Sequence, residues 1–122
     1  MREFIQSKLE EINYLEVTPE NSDDILEEGK TYFSFTLYKN YQDSDLNKNY
    51  TYNQNLIGFI KRLDNPTENT LSIIDNMQNQ IEEKLKEINI KTNFQDVSIS
   101  NGIRKIRCTG NCLYNEINYE LV

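Results

Sequence analysis

Apolar side chains recur with a helical period in two stretches of the chain. The first stretch, residues 3–16, has an apolar side chain every three or four positions, at Ile5, Leu9, Ile12 and Leu15. The second stretch, residues 69–89, follows the same period at Leu71, Ile74, Met77, Ile81, Leu85 and Ile88. We therefore predict one helix within residues 1–16 and a second over residues 69–89, with Asn89 at its end.

Alternation with a period of two predicts a long hairpin over residues 30–62. Residues 30–39 alternate between apolar and more polar side chains, and the apolar side would consist of Phe33, Phe35 and Leu37. After a polar connection, residues 49–62 return as a second strand that is aromatic at its start and apolar at its end. Gly58 within this strand indicates a bulge or a close backbone approach.

A second hairpin is predicted over residues 94–119. Its turn is Asn101-Gly102, because both central positions of a tight hairpin turn need a positive φ. A two-residue turn pairs Ser100 with Ile103, Ile99 with Arg104 and Val97 with Ile106. One face would then consist of Val97, Ile99, Ile106 and Cys108, with Arg104 at the rim. We expect the second strand to continue to Tyr119 with a bulge at Gly110.

The predicted elements follow the order α-β-β-α-β-β, which indicates an α+β fold. We expect an antiparallel sheet of about four strands packed against two helices. A chain of 122 residues fits one domain, residues 1–122, with a core of its own. The chain has no alanine, the strongest helix former, so long helices are not expected to dominate.

Charge is distributed unevenly along the chain. There are 13 basic and 20 acidic residues, and residues 1–30 hold three basic against nine acidic, which leaves the rest of the chain nearly balanced. An acidic chain disfavours nucleic-acid recognition, which needs clustered Lys and Arg. The apolar runs are far shorter than the ~20 residues of a spanning helix, and the charged start is unlike a secretion signal. We therefore expect no membrane association and a cytoplasmic site of synthesis.

The sequence offers little for catalysis or metal binding. It has no His, which is the usual general base and the commonest metal ligand. Residues 43–49 resemble a calcium loop, but Lys48 replaces the required Gly and Gln54 the bidentate Glu. Cys108 and Cys112 are expected to be reduced thiols, too far apart to bridge within one extended strand. We expect no enzyme, catalytic residue, cofactor or metal.

Two groups of side chains are candidates for protein interfaces. The first lies in and around the first hairpin: Tyr38, Tyr41, Asp43, Asp45, Tyr50 and Tyr52. Tyrosine is favoured at interfaces because it contributes a large contact area with little loss of entropy, although strand faces also favour aromatics. The second is a basic group of Arg104, Lys105 and Arg107, with Lys61 and Arg62. It would meet an acidic surface such as residues 1–30 of a neighbouring subunit, unless it is an ordinary mixed-charge surface.

Taken whole, the chain resembles the tail terminator, or tail-completion, proteins of long-tailed bacteriophages. The likeness covers the short first helix, the acidic connection, the hairpin of KTYFSFTLYK and YTYNQNLIGFIKR, the helix TLSIIDNMQNQIEEKLKEI and the closing VSISNGIRKIRCTGNCLYNEINYELV. The resemblance implies a virion structural protein, assembled in the host cytoplasm as a hexameric ring. Such a ring stops growth of the tail tube and offers the head-tail joining surface. Its partners would be itself, the tail tube protein and head-completion or connector proteins, and the family has no catalytic residues to carry over.

Other functions stay open from the sequence. One is a small acidic inhibitor of the immunity-protein or antitoxin type, which would bind a basic protein through the carboxylates of residues 16–28. Another is a different phage connector or baseplate component. A minor hydrolase or metal protein is favoured only by Asp43 and Asp45.

Overall fold

A computed structural model gives the protein an α+β fold, which confirms the predicted class. The structure describes the backbone of residues 2–19, 23–43, 50–63, 70–100, 102–115 and 120–121, and the side chains of residues 2–19, 24–38, 55–63, 72–97 and 102–111. The helices are α1 (Arg2–Leu9) and α2 (Thr70–Lys86), and a 3-10 turn spans Asp23–Ile25. The strands are β1 (Leu15–Val17), β2 (Thr31–Asp43), β3 (Tyr50–Leu63), β4 (Lys91–Ser100), β5 (Ile103–Asn115) and β6 (Glu120–Leu121).

The strands form one mixed sheet in the order β1-β2-β3-β5-β4, with β6 paired to β5. The four long strands are antiparallel to their neighbours, as predicted, and the short β1 runs parallel to β2. The predicted first hairpin is present as β2 and β3, whose register runs from Thr31 opposite Arg62 to Asp43 opposite Tyr50. The sheet therefore has the expected four long strands and two additional short ones.

The first helix is shorter than predicted. The expected helix within residues 1–16 ends at Leu9, the chain turns, and Leu15–Val17 become strand β1. Tyr14 adopts a left-handed φ of 65°, a conformation that an α-helix of L-residues cannot continue through. Ile12 and Leu15 are nevertheless buried. The apolar pattern thus identified the core side chains correctly and the element that carries them wrongly.

The second helix stops close to the predicted position through a Schellman cap. The amide of Ile90 donates to the carbonyl of Leu85 at 2.9 Å, and the amide of Asn89 donates to that of Lys86 at 3.0 Å. Asn89 provides the left-handed residue, with a φ of 63°. Ile90 and Leu85 are both fully buried, which adds the apolar contact that accompanies this cap.

The cap gives a prediction for Asn89. We expect Asn89→Ala to lower the free energy of unfolding by about 1 kcal/mol, because alanine tolerates the left-handed conformation less well than asparagine. Asn89→Gly should lose nothing, because glycine adopts a positive φ without strain. Urea unfolding of the three proteins measures both effects. Equal stability of the alanine and glycine variants would contradict this explanation of the helix end.

The second hairpin has the predicted pairs next to its turn but a different register farther along, and Asn101 lies outside the described residues. Ser100 lies opposite Ile103 and Ile99 opposite Arg104, as expected. The register then shifts between Asp96 and Ser98, so that Asp96 and not Val97 lies opposite Ile106. The extra residue of this bulge leaves the Val97 side chain 50% exposed and off the predicted apolar face.

Strand β5 is described as far as Asn115, and Glu120–Leu121 pair with Tyr114 and Asn115. The expected continuation of the strand over residues 116–119 lies outside the described residues. Gly110 lies in a regular ladder opposite Leu56 and carries no bulge.

The core lies between one face of the sheet and the two helices. Its buried side chains alternate along the strands and recur along the helices, and include Ile5, Leu9, Phe33, Phe35, Leu56, Ile60, Ile74, Met77, Ile81, Leu85, Ile90, Ile106 and Cys108. Gly58 makes the close approach that its position suggested. A Cβ atom there would lie 2.7 Å from Cζ of Phe33 and 2.9 Å from the carbonyl oxygen of Ser34. The ring of Phe33 therefore occupies the space that a side chain at position 58 would need.

Exposed ion pairs join α1 to the end of α2. Lys8 Nζ lies 2.9 Å from a carboxylate oxygen of Glu87, and Lys84 Nζ lies 3.4 Å from one of Glu11. The hydrogen bond from Lys8 lowers the pKa of Glu87 from its ordinary 4.5, and the same bond raises the pKa of Lys8 above 10.5. Surface pairs of this kind contribute little stability individually.

The lowered pKa of Glu87 predicts how the stability of the protein depends on pH. A carboxylate with a lowered folded pKa contributes its stability above the unfolded value, and the contribution is lost as the pH falls through the folded pKa. We therefore expect Glu87→Gln to reduce stability slightly above pH 4.5 and to flatten the loss of stability below it. Urea unfolding across that pH range tests this. Parallel pH profiles for the variant and the parent protein would contradict it.

Candidate interaction surface

The sheet has one face that neither helix covers, here called the outer face. Because side chains alternate along strands, the residues between the core positions point to it. On the long strands it carries Tyr32, Ser34, Thr36, Tyr38, Asn55, Ile57, Phe59, Lys61, Leu63, Lys91, Asn93, Gln95, Ile103, Lys105, Arg107, Thr109 and Asn111. No carboxylate occurs among these described positions.

Aromatic and aliphatic side chains lie on the β2–β3 half of the outer face. Tyr38 is 51% exposed, and Ile57 and Phe59 are half-buried. Together with Pro19 they border a depression of about 110 Å³, in which Ser34 is buried. A partly apolar surface with tyrosine at its margin is the composition that protein interfaces favour.

The β5–β4 half of the outer face is cationic. Arg107 and Lys91 are exposed, and the Lys105 ammonium lies 5.9 Å from the centre of the Phe59 ring, at the outer limit of a cation–π contact. The opposite layer of the molecule carries acidic side chains on both helices, such as Glu3 and Glu83. The described positions of the outer face thus carry cations without carboxylates, whereas the helix layer carries charges of both signs.

The structure divides the basic group that the sequence indicated. Adjacent residues in a strand point to opposite faces, so Lys105 and Arg107 share the outer face and Arg104 lies on the helix side. Arg104 Nη2 lies 3.1 Å from Oδ1 of Asp96. Lys61 and Arg62 are each only 4% exposed, and Arg62 donates to the Thr31 hydroxyl at 2.8 Å. Burial therefore removes Lys61 and Arg62 from the predicted interface.

The predicted tyrosine group falls mainly on positions with a described backbone only. The register places Tyr41 opposite Tyr52, and Tyr52 opposite Tyr114. Asp43 lies opposite Tyr50, whereas Asp45 and the remainder of residues 44–49, including the calcium-like positions, lie outside the described residues. The sequence did not indicate Tyr114 as a member of this group. Tyr114 lies beside Tyr52 only because β3 pairs with β5, which no local pattern indicates.

The sheet has an open edge along most of β2. β1 pairs only with Thr31 to Phe33, and the Thr18 amide donates to the Phe33 carbonyl at 3.0 Å where that pairing ends. Beyond it, the Arg2 guanidinium donates to the Phe35 carbonyl at 2.6 Å and lies 4.3 Å from the centre of the Phe35 ring. From there to Asp43, no described strand pairs with β2 on this side. An exposed edge of this kind is a template for another strand.

A cavity of about 430 Å³ lies on the helix side of the sheet. Asn13, Asn76 and Gln80 contribute amides to its wall, and Glu16 is the carboxylate among the lining residues described. Burial in the apolar core raises the pKa of the Cys108 thiol from 9.0 to about 12, with a smaller contribution from the charge of Glu82. A thiol with so high a pKa is a poor nucleophile at neutral pH.

In the part of the chain that the structure describes, His, Cys, Asp and Glu side chains form no group of three that would hold a metal ion. Neither described helix is long and apolar enough to cross a membrane. No protein-family model matches the sequence, and no curated protein matches it. The resemblance to tail terminator proteins therefore stays a prediction.

Proposed function

We propose that this chain is a virion structural protein that caps the tail tube of a long-tailed phage as a ring, and offers the surface to which the head joins. The observation that carries the proposal is the sheet: neither described helix covers its outer face, and no described strand pairs with the β2 edge beyond Phe33. Protein surfaces that expose a strand edge together with aromatic side chains are typical of sites that another chain covers.

The two open features suit different contacts. A strand edge is suited to joining identical subunits, because each copy offers the same backbone groups. The outer face is suited to a different protein with an acidic surface, because its described long-strand positions carry cations and no carboxylate. We therefore assign subunit contacts to the edges of the sheet and the docking of tube or head-completion protein to the outer face.

A second candidate function is a small acidic inhibitor that binds a basic protein. Exposed carboxylates of the first 30 residues favour it, namely Glu16 and Glu28. Glu27 is less suited to this role, because it already lies 2.8 Å from the ammonium of Lys30. In this alternative the chain would act as a monomer, and the outer face would contribute nothing.

Light scattering coupled to size exclusion separates the two candidates. The tail-cap proposal predicts a closed ring, either in solution or when phage tail tubes are added as a template. The inhibitor predicts a monomer under both conditions and a one-to-one complex with a basic protein. A monomer that never associates with tail tubes would overturn the proposal.

A further inference from the structure

We propose that the uncovered part of β2 pairs edge to edge with β4 of a second copy of this chain. The inference rests on the proposed ring and specifies the contact that closes it.

The direction of the backbone groups in β2 follows from two hydrogen bonds. The carbonyls of Phe33 and Phe35 accept bonds from Thr18 and Arg2, on the side of β2 that faces away from β3. In an antiparallel pair, residues alternate between those bonded to the partner strand and those whose amide and carbonyl point away from it. Odd-numbered residues of β2 therefore direct their backbone groups to the open edge.

The row of outward-pointing groups continues along the open part of β2. By the same alternation, it comprises the amides and carbonyls of Leu37, Lys39, Tyr41 and Asp43. No described strand of this chain bonds to them. A strand from another molecule would therefore find a straight ladder with both donors and acceptors in place.

The opposite edge of the sheet offers the matching strand. Phe33, Ile60, Ile106 and Asp96 lie opposite one another across the four long strands. Hydrogen-bonded and non-bonded pairs alternate across this row, so the backbone groups of Asp96 point away from β5. Those of Phe94 and Thr92 point the same way. The bulge at Val97 ends this regular stretch, so that Lys91 to Asp96 form the part of β4 suited to pairing.

Strand direction favours β4 as the partner of β2. The three pairings β2–β3, β3–β5 and β5–β4 are all antiparallel, so β4 runs antiparallel to β2. Rotation about an axis along the strands keeps these directions, so each β4 meets the next β2 in the antiparallel sense. The regular part of β4, Lys91 to Asp96, is shorter than the open stretch of β2 from Thr36 to Asp43 and fits within it. Such a head-to-tail contact closes into a ring when the rotation between subunits divides a full turn, whereas β2 paired with β2 gives only a dimer.

Proline at the edge tests the contact without disturbing the subunit. Lys39→Pro removes an amide that points away from β3, so the β2–β3 ladder keeps its hydrogen bonds. Thr92→Pro does the same on the β4 edge. We expect both variants to fold, as judged by circular dichroism and the urea midpoint. Each should need at least a tenfold higher protein concentration to form the ring. Lys39→Ala and Thr92→Ala, which keep the amides, should assemble like the parent protein.

Hydrogen exchange of the parent protein gives an independent readout if a proline variant fails to fold. The amides of Lys39, Tyr41 and Thr92 should be protected in the ring and exchange freely in the monomer. Rings that form normally in the proline variants, or that leave these amides unprotected, would overturn the edge contact and leave the tail-cap function standing. A dimer protected at β2 alone would also overturn it.

The converse results separate the two proposals. Edge-protected assemblies that never bind a tail tube would support the β2–β4 contact and contradict the tail-cap function. A chain that stays monomeric both alone and with tail tubes would contradict both.

Discussion

Gly58→Ala is expected to lower the free energy of unfolding by about 3 kcal/mol, the upper end of the usual cost of overpacking a core. The new Cβ would lie 2.7 Å from the Phe33 ring and 2.9 Å from the Ser34 carbonyl oxygen. Phe33 is fully buried, so its ring has no space into which to move. Urea unfolding followed by circular dichroism measures the change.

Gly110→Ala is the matched control, because Gly110 also lies inside a long strand. Its Cβ would lie 3.1 Å from a methyl carbon of Ile90, a smaller overlap than those at position 58, and we expect a loss below about 1 kcal/mol. Phe33→Leu should partly rescue Gly58→Ala, because leucine lacks the ring atom that clashes. Independent effects of the two substitutions would contradict the contact, since neighbouring residues show a coupling energy in a double-mutant cycle.

Arg107→Glu is expected to weaken binding to tail tubes at least tenfold, about 1.4 kcal/mol, while ring formation is retained. Arg107 is an exposed cation on the outer face, and its reversal places a carboxylate where the described long-strand positions have none. Co-sedimentation with purified tail tubes measures the affinity. The predicted loss should shrink at high salt, because exposed charges are screened.

Lys86→Glu is the control for this charge reversal. Lys86 is an exposed cation in the last turn of α2, on the opposite layer of the molecule, and its reversal changes the net charge by the same amount. We expect it to bind tail tubes like the parent protein. Equal losses from both variants would show that net charge and not the outer face controls docking.

The sequence predicted the elements whose signals are local. The period of α2 identified its buried residues, and Asn89 marked its end because a left-handed asparagine is a recognisable stop. Asn101-Gly102 fixed the first pairs of the second hairpin. In each case a few neighbouring residues determine the outcome.

The errors arose where tertiary contacts decide. Residues 10–17 have the same apolar spacing whether they form a helix or a turn followed by a strand, and pairing with β2 selects the strand. The bulge at Val97 shifts the register by one residue, and nothing in the local alternation indicates it. Pairing of β3 with β5 links residues about 50 positions apart, so no short-range pattern reports it.

The sequence predicted the residue types of the candidate surface but not their positions in the fold. Lys61, Arg62, Arg104, Lys105 and Arg107 are close in the fold, but strand alternation divides them between two faces and burial removes two of them. Which face stays open depends on where both helices pack. The uncovered β2 edge depends on the shortness of β1, a strand that the sequence did not indicate.

Electron microscopy of long-tailed phage tail tubes, assembled with and without this protein, tests the central claim most directly. Tubes assembled without the protein should be open-ended and of variable length. With the protein present, we expect a ring at one end of each tube and arrested growth. Tubes that bind no protein and continue to lengthen, beside a chain that remains a monomer in solution, would contradict the account.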